Sequence, residues 1–99
     1  MGILIVKEGD TKDEIYRVLD GENTIGRGDE AKVCTGNQDT SISRLHAMII
    51  HDEGSFGLRP LKEGTNPTYL NDKEVSGGAG LADGDLIRIG NTTLKFRMT

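Results

Sequence analysis

One cysteine, two prolines, no tryptophan, two phenylalanines and two tyrosines among ninety-nine residues exclude several designs at once. Cys34 has no second thiol with which to form an internal disulfide, which fits a reducing compartment and a cytoplasmic location. Nor do Cys34, His46 and His51 stand at metal-ligand spacing, so no metal and no other cofactor is expected. With so few aromatics, the core must rest on isoleucine, leucine and valine. No apolar run exceeds four residues, far short of the roughly 20 that a membrane-spanning helix needs. The opening Met1-Gly2-Ile3-Leu4-Ile5-Val6 lacks a charged lead segment, and Val6 stands where a myristoylation motif has Ser or Thr. It reads as a first strand. A basic excess is missing too: the net charge is −4, which argues against a nucleic-acid partner. An anion pocket remains possible, because a few arginines make a local positive site on an acidic protein. Finally, no window of ten residues carries helical periodicity.

What the chain has is glycine, fourteen of them, spaced as turns between short strands. Glu14 to Leu19 is a strand candidate with Tyr16 and Val18 on one face and Ile15, Arg17 and Leu19 on the other. Asp20-Gly21 then predicts a hairpin into Asn23-Thr24-Ile25. Ala31 to Thr35 is short. Ala47 to His51 is an apolar run, turned by Asp52-Glu53-Gly54-Ser55. In Phe56 to Leu61, Phe56 and Leu58 face inward, and Pro60 marks an end or an edge. Thr68-Tyr69-Leu70 is followed by a tight turn at Asn71-Asp72, and Ser76 to Gly80 reads as a flexible loop. Leu86 to Ile89 precedes Thr92 to Met98, where Leu94, Phe96 and Met98 alternate with Thr93, Lys95 and Arg97, a strand with one wet face. Ten to eleven short, mostly antiparallel strands imply an all-β sandwich, a single domain over residues 1–99, expected as a monomer. Its core is expected to include Ile25, Met48, Ile50, Leu58, Ile87, Leu94 and Phe96.

Three polar corners interrupt these strands. Gly26-Arg27-Gly28 is one and Gly64-Thr65-Asn66-Pro67-Thr68 another. Between them Ser41-Ile42-Ser43-Arg44-Leu45-His46 feeds directly into the apolar strand. Converging at one end of a sandwich, they suit a phosphate. An arginine fork pairs with two phosphate oxygens, a serine hydroxyl adds a neutral donor, and glycines let the backbone come close.

These residues carry a resemblance. Gly26-Arg27, Ser43-Arg44-Leu45-His46, Thr65-Asn66-Pro67-Thr68, Asn71 and the closing Leu81-Ala82-Asp83-Gly84-Asp85 with Ile87, Ile89 and Gly90 resemble, in order and spacing, the forkhead-associated domain, a phosphothreonine-binding β-sandwich. The resemblance runs from about Tyr16 to Phe96. It implies a non-catalytic signalling module whose partners are threonine-phosphorylated proteins. Arg27 and Ser43 would bind the phosphate, Arg44 and Thr65 would assist, and Asn66 would bond the ligand backbone. Gly26, His46 and Asn71 would be architectural, His46 and Asn71 as polar groups tying loops together. Phosphoserine would bind worse than phosphothreonine. The residues flanking the phosphothreonine would meet loops near Gly28 to Glu30 and Gly57 to Gly64. Two positions depart from the family pattern, which usually has glycine where Pro67 and Asp72 stand. Proline pushes Asn66 toward an extended backbone, and a positive φ at Asp72 would carry some cost. Two other functions compete: a phosphate-independent interaction sandwich, and a hydrolase built on Ser43, His46 and an acid such as Asp39. Against the hydrolase, a serine and a histidine three apart on a strand approach point opposite ways, and no Gly-x-Ser-x-Gly elbow is present.

Overall fold

The computed structural model describes residues 2–36, 38–61 and 66–98. Among them lie eleven strands: β1 (Gly2–Glu8), β2 (Ile15–Val18), β3 (Gly21–Gly26), β4 (Val33–Cys34), β5 (Ala47–Asp52), β6 (Ser55–Pro60), β7 (Thr68–Leu70), β8 (Lys73–Glu74), β9 (Ala79–Gly80), β10 (Leu86–Ile89) and β11 (Thr92–Met98). They form two sheets, one ordered β2-β1-β11-β10-β7-β8 and the other β4-β3-β5-β6-β9. All pairings are antiparallel except β3 with β4, which runs parallel through Ile25↔Val33 and Gly26↔Cys34. The all-β sandwich expected from turn spacing is what the chain forms.

The core is the set of inward positions of both sheets. Leu4, Val6, Ile87, Ile89, Leu94 and Phe96 come from the first, Ile25, Val33, Ala47, Ile49 and Leu58 from the second. Burying each of the larger side chains contributes about 1.5–3 kcal/mol. Ile42 joins them although it lies outside any strand, and it is wholly buried.

The phase of β5 differs from expectation. Ala47 and Ile49 enter the core, Met48 is covered on the opposite face, and Ile50 is only half-buried. A run of four apolar residues does not reveal its inward face. The partner register Ile25↔Ala47 and Asn23↔Ile49 decides it. Similarly, Met98 at the end of β11 is 39% exposed.

Asp20-Gly21 does not close a hairpin. β2 pairs with β1, whereas β3 pairs with β4 and β5, so the chain changes sheets at Asp20-Gly21. Gly21, at φ +88°, makes the corner. Buried Asn23 holds it: its Oδ1 accepts the Leu19 N–H (2.8 Å). Its Nδ2 donates to the carbonyls of Leu19 (2.8 Å), Gly21 (3.2 Å) and Ile49 (3.2 Å). The turns at the same end behave as expected. Glu53 and Gly54 (φ 50° and 82°) reverse β5 into β6, and Asn71 and Asp72 (φ 51° and 69°) reverse β7 into β8. Asp72 therefore does occupy the positive-φ region. The Ser76 to Gly80 loop ends in β9, which borders β6 through Gly57↔Gly80 and Leu58↔Ala79.

Candidate phosphate-binding site

The opposite end of the sandwich gathers the β3–β4, β4–β5 and β6–β7 connections. Their approach begins where β3 ends. The N–H groups of Arg27 and Gly28 donate to the carbonyls of Ser43 (3.2 Å) and Arg44 (3.1 Å), and His46 N–H donates to Ile25 O (2.8 Å). A side chain on Gly26 would collide with the Arg44 carbonyl, so only glycine allows the two backbones to lie this close.

The β4–β5 loop is fixed from both sides. Below, Ile42 is an apolar plug in the core. Above, the Asp39 carboxylate accepts the Ser41 hydroxyl and N–H, while Asp39 Oδ2 accepts the Asn91 N–H at 2.7 Å from the β10–β11 turn. The Ser41 side-chain bond, then the Asn91 N–H, hold the Asp39 carboxyl below the usual carboxylate range. Sequence reasoning named Asp39 only as a possible catalytic acid. Its actual work is to anchor the loop.

His46 is 1% exposed. Its Nδ1 accepts the Ser43 N–H (3.0 Å), and its Nε2 meets the Pro67 carbonyl at 3.1 Å. A carbonyl only accepts, so Nε2 carries the proton and the ring is neutral. Burial is the main cause that pushes its pKa down, against the opposing pull of the Pro67 carbonyl and Asp39. His46 thus clasps the loop before β5 to the loop before β7. Pro67 serves through its carbonyl, which proline retains.

The clasps leave an open pocket of about 500 Å³ walled by Arg27, Glu30, Ser43, Arg44 and Asn66, with Thr40, Ile42 and Leu45 completing it. Arg27 is half-buried, and its Nε donates to the Ile42 carbonyl at 2.7 Å. That bond uses the inner edge of the guanidinium and leaves the two terminal nitrogens as a fork. Asn66 Nδ2 lies 3.5 Å from Ser43 Oγ, a long contact that places both side chains at one point of the wall. Arg44 is exposed and bonded through Nη2 to Glu30, at 3.0 Å to Oε1 and 3.4 Å to Oε2. Four of the five expected contact residues, Arg27, Ser43, Arg44 and Asn66, therefore share one wall. The fifth, Thr65, lies outside the described residues.

Asn71 is elsewhere. It sits at the far end, exposed, donating to Asp85 Oδ1 (3.0 Å) and accepting the Leu86 N–H (3.0 Å). It ties two turns together while its side chain stays exposed. Glu30 belongs to a loop expected near the flanking residues, but its pairing with Arg44 was not anticipated. Only the fold brings it to Arg44, fourteen residues later, and nothing in its local sequence announces this.

A hydrolase is incompatible with these contacts. Both His46 nitrogens are occupied, by a backbone N–H and a carbonyl, so neither can take a proton from Ser43 Oγ. Asp39 bonds Ser41 and Asn91 rather than His46.

A family model described as the FHA domain matches residues 23–90. The chain is 39% identical over 83 residues to the FHA domain-containing protein FhaA of Mycobacterium tuberculosis, a match covering 84% of this chain and 15% of that protein. The chain thus spans about a seventh of that curated relative's length. A structure from a study of phosphothreonine-dependent FHA domain interactions superposes with a TM-score of 0.86 at 35% identity, covering 99% of this chain and 96% of that one. The FhaA FHA domain, solved in complex with the intracellular domain of another protein, gives 0.85 at 34% identity, covering 98% of this chain and all of that one.

Proposed function

We propose that this chain, which belongs to the FHA domain family, is a non-catalytic signalling module that binds phosphothreonine-bearing segments of partner proteins in the Arg27–Ser43–Asn66 pocket. The observation that carries the assignment of residues is the Arg27 side chain: its Nε is tied to Ile42 O, and Arg27 lines the same pocket as Ser43. A phosphate brings about −1.5 to −2 charges and three acceptor oxygens. Arg27 supplies a charge-assisted pair of bonds already oriented, so little side-chain freedom is lost on binding. Ser43 Oγ supplies a neutral bond. Asn66 holds the peptide backbone, its amide oriented by Ser43. Arg44 is the exposed second cation, and Thr65 is assigned an assisting role by family pattern alone. The module acts as a monomer in a reducing, cytoplasmic setting, where Cys34 stays a thiol.

Calorimetry with matched phosphothreonine, phosphoserine and unphosphorylated peptides tests the reading. Binding is expected for the first, weaker binding for the second and none for the third. Equal affinity for the phosphorylated and plain peptides would overturn it and favour phosphate-independent docking.

A further inference from the structure

The pocket lined by Arg27, Ser43 and Asn66 holds an anion of the chain's own, Glu30. The Glu30 carboxylate is folded over Gly28, close enough that a β-carbon there would collide with Oε1. Gly28 in turn is fixed by its N–H bond to the Arg44 carbonyl (3.1 Å). The missing side chain of Gly28 is a seat for a carboxylate, and Arg44 closes on it from the other side with Nη2 at 3.0 Å. Glu30, Arg27 and Arg44 line the same pocket. The charge that a phosphate dianion meets is therefore one below what the two arginines would offer. The Arg44–Glu30 pair is about half exposed on both sides, and exposed pairs of this kind are weak. It can open when a stronger anion arrives.

Resting on the phosphothreonine reading, we propose that Glu30 is an intramolecular competitor that sets both the affinity and the flanking-residue preference of the pocket. On binding, Arg44 exchanges the Glu30 carboxylate for the phosphate. Glu30, freed from its partner beside the bound segment, then needs a new cation. The preferred ligand is accordingly a phosphothreonine segment carrying a lysine or arginine close to the phosphothreonine. A segment with an acidic residue in that place meets an unpaired carboxylate and is rejected.

The test is calorimetry on wild type, Glu30→Gln, Arg44→Ala and the double variant. The ligands are phosphothreonine peptides whose flanking residue beside Glu30 is alanine, lysine or glutamate, found by scanning the three positions on each side, with the plain peptide as control. Wild type is expected to prefer the lysine peptide over the glutamate peptide by about tenfold at low salt. Glu30→Gln should bind the alanine peptide about fivefold tighter than wild type, and its lysine-over-glutamate preference should fall toward unity. Arg44→Ala should cost more affinity in the Glu30→Gln background than in wild type, because only there is Arg44 free from the start. Unchanged or weaker binding of the alanine peptide by Glu30→Gln, or an unchanged lysine preference, with phosphate discrimination intact, overturns this inference alone. A wild type indifferent to phosphorylation overturns it together with the proposed function.

Discussion

The two ends of this sandwich are built by different means. At the far end, the reversals at Glu53-Gly54, Asn71-Asp72 and Gly84 take positive φ, and only the sheet change at Asp20-Gly21 is held by a buried side chain, Asn23. The acidic side chains there, such as Asp52, Glu53, Asp72 and Asp83, are exposed. Their bonds serve the turns, as where Asp83 accepts from Arg97 Nε and from Met98 N–H, both at 2.9 Å. At the binding end, irregular loops are held by side chains reaching across to another element's backbone: Arg27 to Ile42, His46 to Ser43 and Pro67, Asp39 to Asn91. A turn of the first kind need only reverse the chain. The second construction fixes directions in space, as a pocket for a tetrahedral anion requires. The difference also places the charge. Exposed carboxylates at the far end contribute to the net −4 while two arginines face the pocket, so a negative chain still presents an anion site.

If the binding end is what the contacts describe, Arg27→Ala should give the largest effect. Losing a charged partner from a partly desolvated pair costs about 2–3 kcal/mol, or roughly 30- to 150-fold in phosphopeptide affinity. Arg27→Lys should recover little, because an ammonium lacks the fork. Peptide titrations of both variants check this.

Next comes His46→Ala. It leaves the Ser43 N–H and the Pro67 carbonyl without their partner at a buried site, which costs about 1–3 kcal/mol of stability. A lowered urea midpoint in the absence of ligand is the expected reading, with affinity falling because the loops loosen.

The same histidine carries a pH signature. Its folded pKa lies below the ordinary 6.5, so below 6.5 the unfolded chain binds more protons than the folded one. Its contribution to stability is complete above 6.5 and drains away as pH falls from there through the folded value. Imidazole resonances of His46 should accordingly titrate below the ordinary range, while an ordinary or raised value would contradict the neutral clasp.

Asn71→Ala should be the mildest. Its two bonds are exposed, so a loss of about 1 kcal/mol or less is expected, and peptide affinity should stay unchanged. A binding defect in a normally stable Asn71→Ala protein would erase the distinction between the two ends.

Apart from the sheet change at Asp20-Gly21, the far end was legible in the sequence because turns and alternation are local. Asp52-Glu53-Gly54-Ser55, Asn71-Asp72 and the period-two run from Thr92 to Phe96 are each decided by neighbours in the chain. The binding end was legible only as a pattern. Gly26-Arg27, Ser43-Arg44-Leu45-His46 and Asn66 stood out by resemblance, and the fold does bring them together. What could not be read was everything that depends on approach across the chain. This holds for the plug at Ile42, the Asp39 anchor to Asn91, the Glu30 partner of Arg44 and the sheet change secured by Asn23. It also holds for β5, whose Ala47 to Ile50 run is apolar on both faces. Only pairing with β3 turns Ile49 rather than Ile50 inward.

The most direct test of the division between the ends takes one variant from each, Ser43→Ala and Asn71→Ala, and measures phosphothreonine-peptide affinity and urea midpoint on both. Ser43→Ala should lose affinity by about tenfold, the loss of one neutral bond, with the midpoint kept. Asn71→Ala should keep affinity with the midpoint slightly lowered. The reverse pattern, affinity lost in Asn71→Ala and retained in Ser43→Ala, would contradict the account.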